Sequence, residues 1–417
     1  MLTGLAVSII AFSGAYSAEL PSREALALPE LIQEALARNP EIQATRKQWE
    51  ASTNRIAQAR ALDDPTLQIQ LWNFPETFKL TQTQNSIFGL SQKFPFPGKL
   101  DLKGEVASRS ADIGGQALRA KERTVIARLK QAYYDLFFAH KAIQVHHEQV
   151  VLLQQFVEIT TSKFKAGKGS QADVLKAQVE LSALHQHLPV LKQRLETAGA
   201  LLNTLLDRDP KSPLGIPGDL DHTQFIKTLD DLQQLAVGTR PELKASELAV
   251  QRNERVHALA QRQYYPDFNV AFQRFQNYQA PDGFGAVFSV NVPFAFWAKS
   301  KYDAGVQEAA AAVAAARAEL RTMENVTRFQ LTDLVAKVRA AEQVAILYST
   351  TVLPQAEQSL EAARASYRTG KTGFLDLIET ERALRGFQLE YYKALVERQH
   401  RLAELEQVVG TDLGAQS

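Results

Sequence analysis

The sequence predicts a mainly α-helical fold with a smaller β part, built twice within one chain. Three observations carry that prediction. Segments recur at an offset of 201 to 203 residues over most of the length. Apolar residues alternate at three and four over stretches far longer than a globular core needs. Four short runs alternate at period two, in two spaced pairs.

The clearest recurrence is a turn. Ser162–Gln178 reads S-K-F-K-A-G-K-G-S-Q-A-D-V-L-K-A-Q, and Ser366–Glu381 reads S-Y-R-T-G-K-T-G-F-L-D-L-I-E-T-E. Phe164 answers to Tyr367, Gly167 to Gly370, Asp173 to Asp376 and Leu175 to Ile378, all at an offset of 203. Each copy reads as a helix, a glycine-bearing turn and an acid in the first turn of the next helix. Gly167 and Gly370 are turn formers, because glycine reaches positive φ cheaply. Lys168 and Lys371 then sit at the hairpin tips. Ser170-x-x-Asp173 also fits a capping box, and Asp376 after Gly373 fits an acid drawn to exposed N–H groups.

The elements follow in order. Residues 2–15 form a short apolar run, with small residues at Ala15, Ser17 and Ala18. This reads as a secretory signal over 1–18, leaving 19–417 as the mature chain; an N-terminal core strand is the alternative. Leu28–Leu62 is helical by period and punctuated at Asn39-Pro40. The same figure returns at Leu232–Tyr265, where Arg240-Pro241-Glu242 matches Asn39-Pro40-Glu41. Strand chemistry follows near 66–74 and 86–94, and again near 268–275 and 284–292. Each pair runs into a very long helix: Lys99–Phe164, and Lys299–Tyr367.

Val125, Leu129, Ala132, Leu136, Ala139, Ile143, Val150, Leu153 and Val157 keep a seven-residue repeat, which predicts one continuous seam and left-handed supercoiling. The seam resumes at Val174 and runs to Leu205; Gly373–Val409 is its counterpart. Pro189 is expected to kink or break its helix, and Pro354 to separate two stacked helices. A linker over 207–227, with three prolines between Asp207 and Asp221, divides a first repeat of about 28–206 from a second of about 228–410.

Nothing after the N-terminus reaches the roughly 18 apolar residues of a membrane-spanning helix. The strand runs suit either an outer-membrane barrel or half-buried hairpins of a soluble domain. Four strands cannot close a barrel, and open edges in lipid leave backbone groups unpaired. If the strands enter a membrane, several chains must share the barrel.

Composition excludes other classes. A net charge of +1 with 22% charged residues leaves no electrostatic footprint for nucleic acid. The absence of cysteine removes disulfides, thiolate metal sites and a cysteine nucleophile. No histidines pair at i, i+4 as a helical metal site wants, and two methionines cannot form a copper ladder. No catalytic constellation stands out, so neither an enzyme, a cofactor nor a bound metal is expected.

E-A-L-A-R-N-P-E-I at Glu34–Ile42, the duplicated strand pairs and Y-R-T-G-K-T-G-F-L-D-L-I-E at Tyr367–Glu379 resemble the TolC-type outer-membrane efflux family. These proteins are the exit ducts of tripartite export systems. Gln92–Lys99 is similar to the strand-to-helix passage of the branch serving heavy-metal pumps. The resemblance implies a homotrimer in the outer membrane of a Gram-negative bacterium. Its twelve-stranded barrel would continue as a helical tunnel through the periplasm, with a periplasmic adaptor and an inner-membrane pump as partners. It also implies a closure at the tips. Asp376 and Glu379 fall where the family has ring aspartates, Tyr367 matches the tyrosine of the closing network, and Asp173 matches the acid of the first repeat. The family's arginine between turn and acid falls here on Thr372, with Lys371 adjacent. The competing reading is a periplasmic coiled-coil scaffold or adaptor-like protein without a membrane barrel.

Overall fold

The computed structural model describes residues 25–72, 85–220, 224–277, 281–293 and 295–413. The segment read as a secretory signal lies outside the described residues, as do His222 and the last two positions of the first strand run. The described residues open with β1 (Ala25–Leu26), α1 (Leu28–Arg38), α2 (Pro40–Arg60), β2 (Thr66–Trp72) and β3 (Asn85–Phe94). The hairpin of α3 (Lys99–Lys165) and α4 (Gln171–Leu205) follows. β4 (Ile216–Pro217) pairs in parallel with β1 and pins the linker to the first repeat. The second repeat holds α5 (Leu229–Thr239), α6 (Pro241–Arg262), β5 (Phe268–Asn277), β6 (Gly283–Val290), α7 (Lys299–Leu347), α8 (Leu353–Thr369) and α9 (Phe374–Val409).

The duplication holds in the packing. Leu31 and Ala35 of α1 are buried against α3 and α4. Leu232 and Ala236 of α5, 201 residues on, are buried against α7 and α9. Both short helices end before a proline, which cannot continue the preceding hydrogen-bond ladder. The two breaks are fastened differently. Asn39 accepts from the amides of Glu41 (3.0 Å) and Ile42 (3.3 Å) and donates to the Leu205 carbonyl at 2.9 Å. In the second copy the Arg240 guanidinium donates to Thr327 Oγ1 and Gln330 Oε1, each at 2.9 Å.

The four longer strands form one antiparallel sheet in the order β2-β3-β5-β6, which leaves β2 and β6 as free edges. The register lines up Leu67, Leu90, Phe272 and Ala286 across the sheet, and Ile69, Phe88, Arg274 and Phe284 beside them. This apolar face stays uncovered: Leu67 is 71% exposed, Phe284 70% and Phe288 76%. A hairpin packed on a soluble core would bury that face. Gln68, Gly89, Gln273 and Gly285 form a row on the polar face.

Sheet and helices meet at the Gln92–Lys99 passage. Gly98 takes φ 86°, which turns the chain into α3, and Phe96 stacks on Tyr265 at 4.6 Å. Lys99 is buried, its Nζ donating to Asp267 Oδ1 at 2.7 Å and to the Tyr265 carbonyl at 2.8 Å. The motif therefore locks the first repeat to the second.

α3 has 67 residues, roughly 100 Å at 1.5 Å per residue. Its seam departs from the strict repeat. Val125, Leu129, Ala132, Leu136 and Ala139 are buried as expected, but the line then runs through Ala142, His146, Gln149, Leu153, Phe156 and Thr160. Ile143, Val150 and Val157 are only half-buried. Two steps of three in succession, Leu136–Ala139–Ala142, set the alternate positions back by one residue, against the forward drift of a helix near 3.6 residues per turn.

Pro189 does not break α4, which runs unbroken from Gln171 to Leu205. The proline forfeits one backbone hydrogen bond, while Leu184 and Leu202 on either side stay buried and hold the helix in place. Pro354 lies at the start of α8, directly after a five-residue π turn, Tyr348–Val352. The wider turn absorbs the missing donor, so α7 and α8 are divided there without a loop.

Among the described residues no helix is long and apolar enough to cross a membrane.

Candidate functional site at the hairpin tips

Both hairpins close with the same turn, bond for bond. In the first, the Gly167 amide donates to the Phe164 carbonyl at 3.0 Å and the Lys168 amide to Lys163 at 2.9 Å. In the second, the Gly370 amide donates to Tyr367 at 3.1 Å and the Lys371 amide to Ser366 at 2.9 Å. Each pair satisfies carbonyls left over at a helix C-terminus, and each needs its glycine at positive φ, 68° and 77°. The next helices start unequally. Ser170 Oγ accepts from the Ala172 amide at 3.1 Å, whereas Gly373 offers no side-chain cap. Asp173 returns no side-chain bond to Ser170, so the reciprocal capping box does not form.

The site residues expected from sequence split into two groups. Tyr367 is buried, stacks obliquely on Phe374 at 5.6 Å and lies in an apolar cluster with Phe156, Leu377 and Ile378. Its hydroxyl has no hydrogen-bond partner among the described residues. Burial, and secondarily the negative charge of half-buried Asp173, push that hydroxyl above the ordinary tyrosine range. Asp376 and Glu379 stand exposed on the first turns of α9 with no ion pair among the described residues, as do Lys168 and Lys371 at the turns. The fold thus brings Asp173 and Tyr367 together and leaves the two acids facing outward.

Three groups at this end were not anticipated. Lys163 reaches from α3 to the second hairpin. Its Nζ donates to the Tyr367 carbonyl and sits 4.1 Å above that ring. Arg382 on α9 grips Glu180 on α4 through both guanidinium arms, Nε to Oε1 at 2.9 Å. That grip holds the Glu180 carboxyl below, and the Arg382 guanidinium above, its usual range. Arg364 on α8 donates to Gln155 Oε1 on α3 at 2.7 Å. A comparison of the two copies would have pointed to these residues. Lys163 answers to Ser366, Glu180 to Ala383 and Arg382 to Val179, so each charge occurs in one copy only.

A profile of the outer membrane efflux protein family matches residues 31–207 and 232–411, the two repeats. The chain is 21% identical over 388 residues to the cobalt-zinc-cadmium resistance protein CzcC of Cupriavidus metallidurans, covering 92% of this chain and 90% of that protein. It is 22% identical over 382 residues to the cation efflux system protein CusC of Escherichia coli, covering 85% and 80%. The fold matches the crystal structure of the outer membrane protein VceC of Vibrio cholerae with a TM-score of 0.76 at 16% identity, over 92% of this chain and 96% of that one.

Proposed function

The chain belongs to the outer membrane efflux protein family, and on that premise we propose that it is the outer-membrane exit duct of a tripartite efflux system. One observation carries the reading: a four-stranded sheet with a bare apolar face and two free edges, at the head of helices about 100 Å long. Such a sheet is satisfied in lipid only when other copies pair with its edges. A homotrimer with a twelve-stranded barrel meets that need. The helices then form a tunnel through the periplasm, and the segment 1–18 is removed on export.

Gly167, Lys168, Gly370 and Lys371 lie at the periplasmic mouth and meet the adaptor; the inner-membrane pump supplies the energy. The duct itself performs no bond chemistry. Tyr367 and Asp173 belong to the closure, with Lys163 supplying the cation that Thr372 does not. Asp376 and Glu379, repeated around the axis, make acidic rings. Clustered carboxylates in a narrow mouth raise the local cation concentration. The names of CzcC and CusC make metal cations the favoured cargo.

Native mass spectrometry of protein extracted from the outer-membrane fraction tests the assembly. Three copies are expected; a monomer in the soluble fraction would turn the reading to the scaffold. Bilayer conductance of the Asp376→Ala/Glu379→Ala variant tests the rings. It should lose cation preference and block by multivalent cations, and unchanged selectivity would remove their role.

A further inference from the structure

Glu381 is the anomaly of the tip cluster. It lies on the face of α9 that carries Leu377 and Leu384 inward, at spacings of four and three residues. It is fully buried, and neither carboxylate oxygen has a hydrogen-bond partner among the described residues. A buried carboxylate without donors is costly when ionised, whereas the protonated form is tolerated. Burial accordingly pushes its carboxyl up to about 7, with Arg385 opposing and Glu180 adding to the rise.

The surrounding charges give the ionised form somewhere to go. On α9, Arg385 lies one turn further on, and Arg382 is the next residue. On α4, Glu180 holds Arg382, and exposed His185 and His187 lie further along. On α3, buried His146 feels Arg385, and burial, with His147, His185 and His187 adding, keeps it neutral to lower pH than usual. On α8, Arg364 is occupied by Gln155 and Glu361. Any ionised Glu381 must therefore bring Arg385 inward or take Arg382 from Glu180. Taking Arg382 breaks the grip between α4 of the first repeat and α9 of the second, and drawing Arg385 inward withdraws a second cation that Glu180 feels.

We infer that Glu381 is a proton-operated latch in the shaft of the two hairpins. Protonated, it lets α9 lie flat on α3 and α8 while Glu180 on α4 keeps Arg382. Ionised, it competes with Glu180 for Arg382 and turns α9 away from α4. Its effect on conduction rests on the duct reading; the latch itself does not.

The chain has no cysteine, so two introduced thiols report alone. Val179→Cys on α4 and Ala383→Cys on α9 are exposed positions beside the Glu180–Arg382 pair. Spin labels there, in full-length protein diluted with unlabelled chains, should separate as pH rises from about 5.5 to about 8.5, with a midpoint near neutrality. Glu381→Gln should hold the short distance throughout, and Glu180→Gln should shift the midpoint to lower pH. A wild-type distance that ignores pH would overturn the latch, as would a Glu381→Gln protein that keeps the wild-type midpoint. If Glu381→Gln fails to fold, the wild-type titration still decides. Labels that follow pH while bilayer conductance does not would keep the latch and remove the gating role of the tips.

Discussion

Lys99→Met probes the joint between sheet and helices most directly. The Lys99 side chain is 3% exposed and that of its partner Asp267 16%. Methionine keeps the length of the stem but removes the charge and both hydrogen bonds, to Asp267 and to the Tyr265 carbonyl. Breaking a buried ion pair by deleting one partner costs roughly 3–5 kcal/mol, because the other charge is left uncompensated. Asp267 retains the Phe96 amide at 3.0 Å and Lys93 at 3.6 Å, which places the loss near the lower end, about 3 kcal/mol. Adding Asp267→Leu removes the stranded charge, so the double variant should recover about 2 kcal/mol relative to the sum of the singles. Urea unfolding in detergent, followed by far-UV circular dichroism, reads all three. A Lys99→Met loss below about 1 kcal/mol, or singles that simply add, would refute the account of this joint.

Other expectations follow from the same packing. Replacing Glu381 by methionine should stabilise the protein by about 3 kcal/mol at pH 8 and by little at pH 4. A carboxyl raised from its ordinary 4.5 to about 7 favours the folded state fully below 4.5 and loses that contribution as pH rises through 7, at 1.36 kcal/mol per pH unit. Urea midpoints across pH would show it. Gly370→Ala meets no atom within 4 Å and should cost only the left-handed backbone penalty, about 1 kcal/mol. Gly410→Ala, at φ 87°, would also drive its Cβ to 2.6 Å from the Thr239 carbonyl and should lower the melting temperature distinctly further. Pro189→Ala restores a backbone donor within α4 and should raise stability by about 1 kcal/mol or more, read by thermal denaturation.

Much of this architecture is legible residue by residue. Asn39-Pro40 and Arg240-Pro241 divide helices because proline acts on its own neighbours. Gly167 and Gly370 close turns because the required φ is a local matter. What was not legible depends on how distant segments meet. Lys163 finds Tyr367 across 204 residues, and its only sign in the sequence is the mismatch with Ser366 in the other copy. Past Ala139 the seam of α3 keeps Leu153 but passes one residue before Ile143, Val150 and Val157, since a pattern of sevens does not say how tightly the helix winds. Pro189 does not end its helix: its local cost is real, but the packing on both sides outweighs it. Glu381 lay within the very motif that marked the tips. An acid spaced three and four residues from leucines is a readable sign of burial, once the eye leaves the exposed acids beside it.

The two free sheet edges carry a consequence for inheritance. Under the shared-barrel reading, β2 and β6 of every chain are completed by strands of another. A chain damaged along either edge is then worse than a missing one, because it still offers its sound edge and occupies a place in the ring. Damage confined to β2 or β6 should therefore behave as dominant when expressed beside the intact gene, whereas loss of the whole chain should be recessive.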